Sequence, residues 1–221
     1  MLEFFFTIIL HICIASSLLL GQTAFANASF LLNQQRGITV NADNSMLIAD
    51  FGNHRVLSVA AGSTTGIVVA GGSGLIANPV KAFFNTMPSK VYVLNGVGSM
   101  WWSNSSSTDF LIFGTSGSNL NQMSGPAGFD MDSNDNFYIA DTFNCRILFW
   151  PFNASSGVII AGGSCGSGIF NLSNPADVFV DENARKMYVA DRGNHRIVLY
   201  SLGFPNGTSI AGGNGQGTGQ K

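Results

Sequence analysis

One unit recurs along this chain, and that recurrence limits the fold more than any other feature. Three segments match almost residue for residue: Ala49-Asp50-Phe51-Gly52-Asn53-His54-Arg55-Val56, Ala140-Asp141-Thr142-Phe143-Asn144-Cys145-Arg146-Ile147 and Ala190-Asp191-Arg192-Gly193-Asn194-His195-Arg196-Ile197. From each Asp the next Gly-Gly pair begins 21 residues later, at Gly71, Gly162 and Gly212. The interval from Asp50 to Asp141 is 91 residues, twice a unit of about 45 residues, so a worn copy belongs between them. Val91-Tyr92-Val93-Leu94-Asn95 occupies that place, with Asn95 where the Asp would stand, and the anchors are then spaced by 45, 46 and 50 residues.

Each unit reads as four short strands. In the third, Gly128–Met131, Phe137–Ala140, Arg146–Trp150 and Val158–Ala161 are runs of β-branched and aromatic residues, separated by Asn, Asp, Ser and Gly clusters that mark turns. Four antiparallel strands repeated at this interval predict an all-β chain, a β-propeller built of four-stranded antiparallel blades. Four blades are present, as an open arc or as part of a larger propeller. The predicted boundaries are a signal peptide over 1–26, a linker over 27–36, blade one over 37–72, a degenerate blade two over 79–117, blade three over 126–163, blade four over 175–213 and a Gly-rich tail over 214–221.

The units resemble NHL repeats, a family named for an Asn-His-Leu motif; here the motif reads Asn53-His54-Arg55 and Asn194-His195-Arg196. The resemblance covers residues 37–213, but blade two departs from it and blade three has Cys145 in place of His. It implies a propeller that commonly has six blades, against four here. The linker before blade one, Phe30-Leu31-Leu32, matches Phe170-Asn171-Leu172, whereas the sequence after blade four stops partway through the next linker. A partial chain is therefore expected, with self-association through exposed blade edges as one way to cover its end faces.

Residues Phe4 to Leu20 are apolar and are followed by Ala24-Phe25-Ala26, the layout of a cleaved secretory signal, although Glu3 stands where a basic residue is usual. The alternative is an uncleaved anchor, but at 17 residues, interrupted by Thr7, His11, Ser16 and Ser17, the stretch is short for a span of about 20 apolar residues. No membrane span is expected after cleavage. Secretion also fits Asn-x-Ser/Thr acceptors at Asn27, Asn104, Asn153, Asn171 and Asn206, three of them near the turn between a blade's third and fourth strands. Cys145 and Cys165 then remain as an even pair in an oxidising compartment, and folding the third-to-fourth-strand hairpin brings them opposite each other, which predicts a disulfide.

Charge excludes some functions. The chain has 10 Lys+Arg against 12 Asp+Glu and no basic run, so it lacks the clustered cations that neutralise phosphates, and no nucleic acid is expected as a partner. With 46% hydrophobic and 10% charged residues it is not a charge-rich disordered chain. The recurring Asp50, Asp141 and Asp191 each precede Arg55, Arg146 and Arg196 by five residues. A side chain needed once per blade is a folding device, suited to capping turn amides and pairing with a planar guanidinium. After the leader only His54 and His195 are histidines, which rules out a three-His zinc site. No catalytic constellation or cofactor is read, although Asp and Asn near the channel leave calcium open.

Trp101 and Trp102 point to opposite faces of one strand and have two readings, an exposed contact surface or inter-blade packing. The expected function is a secreted, non-catalytic binding scaffold for an extracellular protein or glycan. The alternatives are a metal-dependent lyase or hydrolase of the six-bladed class, which the family resemblance brings in, and the NHL domain of a ubiquitin-ligase-like or RNA-binding protein.

Overall fold

The computed structural model describes residues 31–71, 74–84, 90–104 and 109–217; the predicted leader, Asn27 and the last residues of the tail lie outside them. The described residues form sixteen strands in four separate antiparallel sheets of four, a four-blade β-propeller. Blade one is β1 (Gly37–Val40), β2 (Met46–Asp50), β3 (Arg55–Val59) and β4 (Gly66–Ala70). Blade two is β5 (Pro79–Phe84), β6 (Val91–Asn95), β7 (Met100–Ser103) and β8 (Asp109–Phe113). Blade three is β9 (Gly128–Met131), β10 (Phe137–Asp141), β11 (Arg146–Trp150) and β12 (Val158–Gly162). Blade four is β13 (Pro175–Asp181), β14 (Lys186–Asp191), β15 (Arg196–Ser201) and β16 (Gly207–Gly212). No helix among the described residues is long and apolar enough to cross a membrane.

Each sheet is a plain meander, so its turns fall on two sides. The β2–β3 type turns and the inter-blade linkers lie at one end of the strands; the β1–β2 and β3–β4 type turns lie at the other. In blades one, three and four the β2–β3 type turn tightens into one turn of 3-10 helix, Phe51–Asn53, Thr142–Asn144 and Arg192–Asn194. The next residue, His54, Cys145 or His195, sits in the left-handed region at φ 54°, 52° and 52°.

The two-residue alternation of a strand decides the packing. In blade three, Tyr138 and Ala140 face blade four and join a buried cluster with Val178, Met187, Val189 and Tyr200. Phe137 and Ile139, on the other face, join blade two's Tyr92, Leu94 and Met100. Around Phe137, edge-on contacts with Tyr92 and Phe113 each place ring centroids 5.2 Å apart, and Phe113 stacks on Trp150 at 4.0 Å. A third cluster, with Leu47 and Val56 against Ala82 and Val93, seals blade one to blade two. Every blade also carries a β-bulge where its third strand meets its fourth, which bends the outer strand.

Among the described residues no buried cluster joins blade four to blade one. The outward face of blade four carries Phe179 at 59% exposure, although Tyr188 and Ala190 there repeat the types that Tyr138 and Ala140 bury in blade three. Truncating Phe137, which is fully buried at the seam between blades two and three, to Ala is expected to cost about 3–5 kcal/mol of unfolding free energy, read from urea denaturation.

Candidate functional site

The repeated polar residues converge on the linkers. Asp141 lies opposite Arg146 in the β10–β11 register and is fully buried. Its Oδ2 accepts from Arg146 Nε at 2.7 Å and Asn144 Nδ2 at 2.8 Å, and its Oδ1 accepts from the Ser124 backbone N–H at 2.7 Å. The rest of the Arg146 guanidinium donates to the carbonyls of Ser118, Asn119 and Gln122 at 2.8–2.9 Å, and Asn144 donates to Gly117 O at 2.9 Å. A planar fork with five donors thus holds one loop by its carbonyls while the carboxylate holds it by an amide. Blade four repeats this with Asp191, Asn194 and Arg196 on Gly166, Ser167, Gly168, Asn171 and Ser173. In blade one Asp50, Asn53 and Arg55 hold Leu31 and Asn33. Each set grips the linker that leads into its own blade.

The Gly-Gly spacing belongs to the same device. Gly71, Gly162 and Gly212 have φ between 72° and 88°, and a Cβ on any of them would strike the carbonyl of His54, Cys145 or His195. In blades three and four the second glycine donates its N–H to that carbonyl, at 3.0 Å and 2.9 Å. Glycine is required on both grounds, positive φ and close backbone approach.

Blade two lacks the Asp, and the structure shows what replaces it. Asn95 Oδ1 accepts from Gly98 and Ser99 N–H within its own turn. The linker amide of Asn78, which a blade-two Asp would have taken, donates instead to His54 Nδ1 of blade one at 3.1 Å. Position 54 therefore reaches the next linker, and the equivalent Cys145 does so covalently. Cys145 is bonded to Cys165, with a Cα–Cα separation of 5.1 Å, tying the start of β11 to the linker beyond β12.

A polar group that the repeat did not predict lies on the inner strands. Lys81 of β5 reaches past blade three to Asp177 of β13, with Nζ 2.8 Å and 2.9 Å from the two carboxylate oxygens. The bridge passes Gly128 of β9, where a Cβ would collide with Asp177 Oδ1. Nearby Asp130 is buried, and that burial pushes its carboxyl above the usual range, against the Val180 and Met131 amides that bond its two oxygens. Tyr138, at the seam with blade four, is pushed up to about 12 by burial and by Asp132. Lys81, Gly128 and Asp177 occupy one repeat position, with opposite charges on either side of a glycine; that was the available sequence signal. Among the described residues no three His, Cys, Asp or Glu side chains gather as a metal site.

Trp101 and Trp102 are both partly buried in inter-blade packing, on opposite sides as the alternation requires. Trp101 Nε1 donates to Ser99 Oγ at 2.8 Å; Trp102 stacks on Phe110 at 4.4 Å under the Lys90 ammonium. Asn104, Asn153 and Asn206 fall on the β3–β4 turn side, whereas Asn171 lies in the linker gripped by Arg196.

Two outcomes follow from this geometry. Replacing both Cys145 and Cys165 with Ser is expected to lower stability by about 3 kcal/mol for a loop of this size, measured by urea denaturation. For Asp130, the folded carboxyl titrates above the unfolded one, so the stability it confers is present below the ordinary value of 3.8 and lost as pH rises through its raised value. Asp130→Asn should remove that slope, and a wild-type stability profile parallel to the variant's across that window would contradict it.

No protein-family model matches this sequence, and no curated protein matches it. Solved structures do. Over 81% of this chain and 65% of the other, it superposes on a chain of a nidogen/laminin complex with a TM-score of 0.66 and 13% identity. A Bacteroides thetaiotaomicron structural-genomics protein gives a TM-score of 0.63 at 16% identity, covering 84% of this chain and 45% of that one. Virginiamycin B lyase from Staphylococcus aureus gives 0.54 at 13% identity, covering 79% and 54%. The chain thus spans between 45% and 65% of these three proteins' lengths, and what it shares with them is the β-propeller fold.

Proposed function

We propose that this chain is an extracellular propeller of the NHL-repeat type that serves as a non-catalytic binding scaffold for a protein or glycan. The observation that carries the reading is that each repeated Asp-Asn-Arg set turns inward onto a linker, so the motif builds the frame and leaves recognition to the loops and exposed strands. The Cys145–Cys165 bond supports an oxidising compartment. Arg55, Arg146, Arg196 and Lys81 are all paired internally, which withdraws four of the 10 Lys and Arg from phosphate binding. The nidogen/laminin likeness joins this fold to a protein complex, and the exposed face of blade four around Phe179 is a surface for partner or self-association.

A lyase is the second reading, favoured by the Lys81, Asp130 and Asp177 group on the inner strands and by the likeness to virginiamycin B lyase. The purified chain, incubated with quinupristin, the compound held in a solved structure of inactive virginiamycin B lyase, is expected to leave it intact; turnover abolished by Asp177→Asn would establish the lyase reading instead. Chain secreted by eukaryotic cells is expected to begin at Asn27 and to carry one disulfide by intact mass. A full-length chain with free thiols, held inside the cell, would contradict the compartment.

A further inference from the structure

We propose that Asn206 is an N-glycosylation site whose first N-acetylglucosamine packs on the ring of Phe204; the proposal rests on the extracellular reading above. Asn206-Gly207-Thr208 is an acceptor triplet at the start of β16, and Asn206 is exposed. Just before it, Phe204 N–H donates to Ser201 O at 3.0 Å around Gly203 at φ 90°, a turn of the type that needs positive φ at its third residue. That turn lifts Phe204 to 67% exposure, and among the described residues it has no aromatic partner. Pro205 biases Phe204 to extended backbone, which sets side chains 204 and 206 on the same side of the chain. Beside the ring an open apolar hollow of about 350 Å³ is lined by Phe149, Ile159, Leu202, Phe204 and Pro205. The C–H face of a hexosamine meets the negative face of an aromatic ring favourably, and its acetamido methyl suits such a hollow.

Asn171 and Asn153 lack this arrangement, and at Asn104 the ring two residues before, Trp102, is already stacked on Phe110. Asn171 donates Nδ2 to Ser164 O at 3.2 Å, and its carbonyl accepts from Arg196, so a sugar there would break the latch. At Asn153 the aromatic, Phe152, precedes by one residue, within a turn where Asn153 itself has φ 60°. In the covalent step the Asn206 amide nitrogen attacks the anomeric carbon of an oligosaccharide carried on a polyprenyl diphosphate. The N–C1 bond forms, the C1–O bond to phosphate breaks, the amide loses one proton, and the polyprenyl diphosphate departs.

The test expresses the full chain in eukaryotic cells in two forms, as it stands and with a heterologous secretory leader added ahead of it, and reads occupancy at each acceptor by glycopeptide mass spectrometry. In the leader-fused form Asn206 is expected to be modified in most molecules and Asn171 in few, and Thr208→Ala to abolish the Asn206 glycan. Enzymatic deglycosylation should lower the thermal midpoint of the parent by a few degrees, and Phe204→Ser should reduce occupancy severalfold and erase that difference. An unmodified Asn206 beside an occupied Asn153 or Asn171, or in a chain bearing no glycan, overturns the site; an equal thermal response in parent and Phe204→Ser overturns the stacking. Retention of the unfused chain in the cytosol overturns the extracellular reading and is distinguished by the leader-fused result.

Discussion

The buried carboxylate that ends the second strand of blades one, three and four is the interaction on which the remaining structure depends. A linker between blades is irregular backbone, and irregular backbone packed against other elements carries amide and carbonyl groups that need partners. Asp141, with no exposed surface, is tolerable because Arg146, Asn144 and the Ser124 amide satisfy it. The same guanidinium then satisfies three linker carbonyls. The latch fixes where one blade ends and the next begins, and so the angle at which their apolar faces meet. Hydrophobic burial between blades supplies the larger stabilisation, but it is non-directional and does not by itself choose that angle.

Blade two shows that the requirement is the linker's amide rather than the motif. With Asn95 in place of the acid, the Asn78 N–H is still satisfied, by His54 from the preceding blade. A backbone bond survives in all four blades: Gly52, Gly96, Phe143 and Gly193 each donate to the linker, at Asn33, Asn78, Ser124 and Ser173. In blade four the Asp191 carboxylate already holds the equivalent amide, so position 145 has no hydrogen bond to supply and a cysteine there closes onto Cys165. Loss of an ion pair in one blade and gain of a covalent bond in another are thus two outcomes of the same constraint.

Most of this frame was legible in the sequence because it is repetitive. The interval of 45 to 50 residues and the Asp-to-Gly-Gly distance gave four units of four strands, the runs in unit three placed its four strands, and its hairpin gave the Cys145–Cys165 bond. The five-residue offset from Asp to Arg placed them opposite each other across a turn, as the register has them. The Lys81–Asp177 bridge was not read, since its partners are 96 positions apart and belong to blades that are not neighbours. Its legibility needs the inner strands aligned on one another, so that Gly128 is seen as the gap through which the ion pair passes. The hand-over from Asp to His54 in blade two was equally hidden, because His54 was read as part of its own blade's motif rather than as an acceptor for the next linker's amide.

The functional reading follows from the same division between frame and surface, with the repeated polar side chains facing linkers while the turns and the outer strands face solvent. The most direct test is amide hydrogen exchange on Asp141→Asn, followed residue by residue. If the carboxylate is a folding latch, protection falls at Ser124 and along the 117–124 linker, global stability drops by about 3–5 kcal/mol as for any broken buried ion pair, and blade one keeps its protection until global unfolding. Unchanged stability and unchanged linker protection would contradict the account and return the repeated acids to a role in recognition or chemistry.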